Sequence, residues 1–275
     1  MTDQALVAIL RSCLPQLGLR WAGYRKVRGL VGKRLNRRLS ALGLADLAAY
    51  RAFLEGHPAE WACLDALCRI PISRFYRDRR VFDAISYQLL PAAAIEAAAA
   101  GDNAVTCWSA GCASGEEPYT LALAWDFCVA PQWPRLGFAV VATDAEQTML
   151  ERANAACYSR SSLKELPPEW RERSFARRGP LFCLAAEFRR NVRFLLQDIR
   201  QSMPDGPFNL ILCRNLVFTY FEETLQRRIT GELADRLRPG GSLVLGSHES
   251  LPRKITGFRL TDAKLPIYRR EASSQ

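Results

Sequence analysis

From Trp108 to Tyr119 the chain reads Trp-Ser-Ala-Gly-Cys-Ala-Ser-Gly-Glu-Glu-Pro-Tyr. A short apolar run precedes this stretch and a helical pattern follows it, so it reads as a loop at a strand end. Gly111 and Gly115 lack a Cβ, which lets a ligand approach the backbone closely. A tight turn without a ligand is an equally simple use of two glycines. The dinucleotide fingerprint G-x-G-x-x-G is absent. Instead two carboxylates, Glu116 and Glu117, stand beside a helix start, where they would repel a pyrophosphate. A nicotinamide or ATP site is therefore disfavoured. A ligand with an ammonium group, such as the methionine part of S-adenosylmethionine, is favoured.

Three more polar residues follow apolar runs. Asp144 closes the run 138–143. An acid there can accept both ribose hydroxyls of a cofactor, or it can cap the helix that starts near Gln147. Asp198 follows the run 192–196, and Asn215 follows the run 208–213. In open α/β sheets, ligands bind at the carboxyl ends of strands. Polar groups at four strand ends thus point to one cofactor rim.

The elements that must position these residues change character at the turn signal Gly101-Asp102-Asn103. Before it, the chain is helical: Val27, Leu30, Val31, Leu35 and Leu39 recur at helical spacing, and Asp46 is placed as an N-cap. A third helix is expected from residue 60 to 68. After the turn, strands are expected at 104–109, 138–143, 192–196, 208–213 and 242–245. Helices are expected near 119–127, 147–156 and 224–237, the last stopped by Pro239-Gly240-Gly241. This alternation predicts a doubly wound α/β sheet. Residues 158–190 break the rhythm and suggest a small insertion.

The 275 residues fit one large domain or two modest ones, and 49% apolar with 24% charged residues predicts a folded, soluble chain. No apolar stretch approaches the roughly 20 residues of a membrane span, and the start Met1-Thr2-Asp3-Gln4 has no secretory pattern. A cytoplasmic monomer is expected. With only His57 and His248 as histidines, no His-based metal site is expected. The nine cysteines form no CxxC pair and read as buried, reduced thiols. Net charge is +10, which calls for acidic partners. Arg11, Arg20, Arg25, Lys26, Arg28, Lys33, Arg34, Arg37 and Arg38 all precede Asp46. A solvated helical face, a nucleic-acid surface and an acidic protein partner each accommodate such a run.

Taken together, several motifs resemble the CheR-type chemotaxis receptor (protein-glutamate O-) methyltransferases, over nearly the whole chain. Residues 108–119 are similar to that family's first methyltransferase motif, with the Gly-Glu-Glu-Pro-Tyr core. Residues 213–221, Cys-Arg-Asn-Leu-Val-Phe-Thr-Tyr-Phe, resemble its fourth-strand signature. Ile72-Ser73-Arg74-Phe75-Tyr76-Arg77-Asp78 resembles its Thr-x-Phe-Phe-Arg-Glu segment, and Gly-Ser-His-Glu-Ser at 246–250 its Gly-His-Ser-Glu. The resemblance implies a Rossmann-like methyltransferase domain over 86–275. It also implies a basic, receptor-facing helical subdomain over 1–85 and a small β-subdomain inserted at about 160–192.

The resemblance also implies roles. S-adenosylmethionine would be the cofactor and S-adenosylhomocysteine the product. Ser73 and Arg77 would reach the cofactor and active centre, with Gly111 in the cofactor loop. Glu117 would bind the methionine amino group and Asp144 the ribose. Asp198 and Ile199 would sit at the adenine, and Arg214 and Asn215 would complete the pocket. Arg77 and Tyr220 would face the substrate carboxylate, and the partner would be an acidic, helical receptor cytoplasmic domain. Three positions depart from the family pattern: Pro71 stands where several members carry Asn, Asp198 replaces a more usual Asn, and the stretch from Asn215 to Tyr220 is one residue longer than the commonest form.

A glutamate carboxylate is ionised at neutral pH, so its methylation needs no general base. It needs desolvation and an oxygen held about 3–3.5 Å from the methyl carbon. The planar donor array of Arg77 suits that task. Two rivals share the fold: an RNA methyltransferase, and a cofactor-sensing module without turnover. No aromatic–basic RNA-binding module is present, and Arg214-Asn215-Leu216 stands where an Asn-Pro-Pro-Tyr motif would be, so nucleic acid is disfavoured.

Overall fold

The apolar run that begins at Val105 becomes the centre of a seven-stranded sheet in the computed structural model, which describes residues 2–271. The strands are β1 (Ala104–Ala110), β2 (Gly137–Asp144), β3 (Cys157–Ser159), β4 (Phe175–Arg178), β5 (Leu181–Leu184), β6 (Val192–Leu196), β7 (Phe208–Leu212), β8 (Leu237–Val244), β9 (Phe258–Asp262) and β10 (Leu265–Arg270). The large sheet runs β6-β2-β1-β7-β8-β10-β9. Its first five strands pair in parallel, and β10 and β9 pair antiparallel at the far edge. Every residue of β7 is buried, as expected for a parallel strand covered on both faces. Among the buried residues, the Trp108 indole N–H donates to the Thr143 hydroxyl at 3.0 Å, which satisfies the one polar atom of that large side chain.

The architecture is the doubly wound α/β sheet anticipated above, with corrections in detail. Pro239-Gly240-Gly241 does not stop a helix. The helix Glu223–Arg236 ends first, and the three residues lie inside β8. Gly240 takes φ +76°, and the β7–β8 register shifts between Phe208 and Leu210. These breaker residues thus make a bulge within a strand.

A second correction concerns the cysteines. Strands β3, β5 and β4 form a separate three-stranded sheet, and Cys157 and Cys183, direct register partners in the β3–β5 pair, are joined as a disulfide. Directly opposite side chains on one face of an antiparallel pair are close neighbours, so pairing rather than sequence spacing brings these two sulfurs together. The other seven cysteines are free thiols, and of these only Cys63 is exposed.

The described residues fall into two compact units, within Met1–Ile70 plus Leu216–Gln226 and within Pro71–Asn215 plus Arg227–Gln275. The first is helical. Leu10, Leu14, Val31, Leu35, Tyr50, Leu54 and Leu64 are almost wholly buried in it. Asp46 caps its helix, Leu47–Gly56, by accepting the Ala49 N–H at 2.8 Å. The basic helix Arg28–Leu42 spends part of its charge internally. Arg34 donates to the carbonyls of Leu67 and Arg69. Arg38 grips the buried Glu60 with two nitrogens, and Tyr50 donates to the same carboxylate at 2.8 Å. Arg25, Lys26, Lys33 and Arg37 remain exposed. The second unit holds both sheets, and its core gathers Phe75, Tyr76 and Phe82 with Val105, Cys107, Leu121 and Leu210.

Candidate active site

In the sheet order, β1 has β2 on one side and β7 on the other, so the chain reverses its winding there. Such a switch point opens a crevice at the carboxyl ends of the strands. The loop that follows β1 is built to lie against the end of β2. Gly111 and Cys112 both donate their N–H to the Thr143 carbonyl, at 2.8 and 2.9 Å. Gly111, Ala113 and Gly115 all have positive φ, +73°, +47° and +90°. A Cβ on Gly115 would come within 2.9 Å of the Ala153 Cβ and 3.2 Å of the Tyr158 hydroxyl, so glycine is needed for both conformation and space.

Asp144 ties this loop down. Its Oδ2 accepts the Ala113 N–H at 2.8 Å and its Oδ1 accepts the Glu146 N–H at 3.0 Å. Glu146, not Asp144, holds the N-cap position of the helix Gln147–Ala155.

The two adjacent acids of the loop diverge. Glu116 is buried, accepting from Ser114 at 2.9 Å and from Ser162 at 3.1 Å. It fastens the loop to the segment Arg160–Leu163 and is a structural tie. Glu117 accepts from Ser109 at 2.7 Å and pairs with Arg214 at 2.9 Å. The thiol of Cys112 records how these charges converge. Burial raises its pKa first, and the charges of Asp144, Glu117 and Glu116 raise it further.

Arg214 is the hub of the site. Its side chain is 2% exposed. Nη1 holds Glu117, while Nη2 donates to Asp78 and to the Arg77 carbonyl, both at 2.8 Å. The guanidinium also lies over the Phe82 ring, 5.0 Å from its centroid. Burial works to raise the Asp78 carboxyl, but the charge of Arg214, the Ser247 N–H and the charge of Arg77 outweigh it, holding the carboxyl below its usual range.

Arg77 sits between two left-handed residues, Tyr76 at φ +56° and Asp78 at φ +62°. Such backbone persists only where its surroundings hold it. Here the Tyr76 N–H donates to Thr120, and Arg214 holds the next carbonyl and carboxylate. Arg77 itself is half-buried and donates from Nη1 to the Ile72 carbonyl at 2.7 Å. Ser73 lies on the same segment, partly exposed.

The remaining sequence-derived residues are placed as follows. Ile199 is buried, and Asp198 is engaged by Arg200 at 2.6 Å. Asn215 has φ +55°, and its N–H donates to Glu249 at 2.7 Å. Tyr220 belongs to the other unit, where its ring lies 5.1 Å from that of Tyr24. The structure thus brings Gly111, Glu117 and Asp144 around one loop, and Glu117 and the Arg77 backbone onto Arg214. Asp78 and Glu249 were not singled out as site residues from the sequence. Both lie in the motifs 72–78 and 246–250, so the signal was present, but a motif does not say which of its acids turns inward. Among the described residues, no group of three or more His, Cys, Asp or Glu is placed to hold a metal ion, and no helix is long and apolar enough to cross a membrane.

Comparison with known proteins gives the following. Residues 72–266 match the family described as CheR methyltransferase, SAM binding domain. The chain is 33% identical over 244 residues to the chemotaxis protein methyltransferase of Salmonella typhimurium, covering 85% of this chain and 80% of that one. It is 31% identical over 186 residues to the protein of the same name from Listeria monocytogenes, covering 68% of each. It is also 31% identical over 242 residues to an uncharacterized 104.1 kDa protein of Rhodobacter capsulatus, of which it spans only 25%. Among solved structures, the N-methyltransferase NodS from Bradyrhizobium japonicum aligns with 71% of this chain at 16% identity and a TM-score of 0.39.

Proposed function

Because this chain belongs to the CheR methyltransferase family and is an S-adenosylmethionine-dependent methyltransferase, we propose that its acceptor is a glutamate side chain on an acidic, helical receptor-type signalling domain. The observation that carries this reading is the state of Arg77. Its acidic neighbour Asp78 is taken by Arg214, and its own guanidinium rests on a neutral carbonyl. An arginine so placed has further N–H donors to offer an incoming carboxylate.

The donor set fits the cofactor. Glu117, Glu116 and Asp144 make a negative surround for a ligand that carries a sulfonium and an ammonium, and the buried Arg214 Nε has no hydrogen-bond partner among the described residues. Bound S-adenosylmethionine supplies an electrophilic methyl group. In this reading Glu117, which keeps lone pairs beyond those given to Ser109 and Arg214, takes the ammonium. Asp144 takes the ribose, and Asp198 and Ile199 flank the adenine. Gly111 keeps the loop backbone low, and Ser73, Arg214 and Asn215 close the pocket. Arg77 holds one oxygen of the acceptor carboxylate and leaves the other free to attack. Because that carboxylate is already ionised, the site needs orientation and not a base. Tyr220 remains in the proposal, as a second donor to the acceptor, on the family resemblance alone.

Docking falls to the exposed cations Arg25, Lys26, Lys33 and Arg37, which suit an acidic helical surface. The experiment is methyl transfer from labelled cofactor into receptor cytoplasmic domains, with total RNA as the competing acceptor. Base-labile label on glutamate supports the reading. Label on RNA alone overturns it.

A further inference from the structure

We infer that Glu249 is a positioning residue for the cofactor pocket, acting through Asn215 and Gly246. The residue is 8% exposed, and its carboxylate sits where the chain leaves β7 and β8. The single oxygen Oε2 accepts both the Asn215 N–H and the Gly246 N–H, each at 2.7 Å. The Glu249 N–H returns to the Gly246 carbonyl at 2.8 Å, closing the turn. Burial of a carboxylate is costly unless its oxygens are satisfied, so this acid is committed to holding the corner.

Two features show what it holds. Asn215 takes φ +55°, the left-handed region that asparagine tolerates better than most non-glycine residues, and the Glu249 carboxylate holds its N–H there. A Cβ on Gly246 would meet the Asn215 Nδ2 at 2.4 Å and the Glu249 Oε2 at 2.8 Å. The Asn215 amide therefore lies against Gly246, and the three residues interlock. Immediately before Asn215 stands Arg214, whose guanidinium holds Glu117 and Asp78. The same turn is reached from the other side by Asp78, which accepts the Ser247 N–H at 3.4 Å. Glu249 thus sets the backbone from which the hub arginine projects, without being assigned a contact to cofactor or acceptor.

The inference rests on the cofactor site described above and not on the identity of the acceptor. It is tested by calorimetric binding of S-adenosylhomocysteine at 25 °C, with thermal melts recorded alongside. Glu249→Gln keeps an oxygen that can accept both N–H groups but lacks the charge. Glu249→Ala removes the acceptor. We expect Glu249→Ala to weaken binding about tenfold, the equivalent of one unsatisfied buried group, and Glu249→Gln to recover most of that loss. Gly246→Ala, which displaces the Asn215 amide from the opposite side, should weaken binding to a similar degree. Near-native affinity in Glu249→Ala, or in Gly246→Ala should Glu249→Ala fail to fold, overturns the inference. So does a Gln variant as weak as Ala. Because the product binds without an acceptor, failure of the glutamate reading would leave these results untouched.

Discussion

Arg214 holds the carboxylate of Asp78 at 2.8 Å, while the guanidinium of Arg77, the residue before it, rests on the Ile72 carbonyl. One buried cation faces two acids, Asp78 and Glu117, and in the proposed reading Arg77 is left to meet the acceptor carboxylate. Replacing Arg77 with Lys keeps the charge but loses the planar donor array. Arg77→Lys and Arg77→Ala should both lower single-turnover methyl transfer on the order of 10²-fold, the cost of a misplaced reacting group. Their melting temperatures should stay near the parent's, because the Arg77 side chain is half-buried and its hydrogen bond goes to a neutral carbonyl, that of Ile72. Near-normal turnover in Arg77→Ala would withdraw its assignment.

Asp78 gives a dependence on pH with a definite sign. Its carboxyl is held below its ordinary value in the folded chain. Its ionised form therefore stabilises the fold above that ordinary value, and the benefit is lost as pH falls through the folded one. The melting-temperature gap between parent and Asp78→Asn should be constant near neutrality and shrink below about pH 4. A gap that does not begin to shrink on acidification below that point would show that the charge of Asp78 is not what stabilises the site.

Asp144 holds the Ala113 and Glu146 N–H groups, and in the proposed reading it also receives ribose hydroxyls. Asp144→Ala should weaken S-adenosylmethionine binding by about 1–3 kcal/mol. Asp144→Asn, which retains one acceptor oxygen, should recover part of this. Calorimetry showing equal affinity in the Ala variant would remove Asp144 from the pocket.

The basic stretch from Arg25 to Arg38 separates into exposed cations and internally paired arginines. Charge reversal of Arg25, Lys26, Lys33 and Arg37 should raise the KM for a receptor domain at low salt and flatten its salt dependence, with cofactor affinity unchanged. Arg38 behaves differently, because it neutralises Glu60, whose side chain is 4% exposed. Arg38→Ala should cost about 3 kcal/mol of stability, read as a shifted denaturation midpoint. Should the surface variants destabilise and Arg38→Ala spare the fold, this division is wrong.

Four of the five parallel strands are legible as short apolar runs: the expected bounds of β6 match, and those of β1, β2 and β7 differ by a residue or two, whereas β8 is legible only in its second half because Pro239-Gly240-Gly241 reads as a stop. The β9–β10 hairpin is not legible. In β9 every residue but Phe258 is exposed, so the strand has no apolar face to read. Asp144 and Glu117 could be placed on the rim because each follows a strand or opens a helix. The divergence of Glu116 from Glu117 could not, since adjacent residues differ only in the direction the helix turns them. Cys157 and Cys183 lie 26 residues apart, and only the register of β3 on β5 makes them partners. Glu249 looked like one acid among several, because its importance comes from the two backbone N–H groups that meet at its oxygen.

The segment Leu216–Gln226 leaves the sheet-bearing unit and belongs to the helical one before the chain returns. There the Arg20 N–H donates to the Tyr220 carbonyl, and a side chain on Gly23 would strike the Thr219 carbonyl at 2.4 Å. Neither unit can therefore be released by a single cut. A protein shortened at Ile70 would keep residues 216–226 but lose Arg20, Gly23 and Tyr24, the neighbours that shape them. Recombination among relatives faces the same constraint: the first seventy residues and this short return segment must be exchanged together.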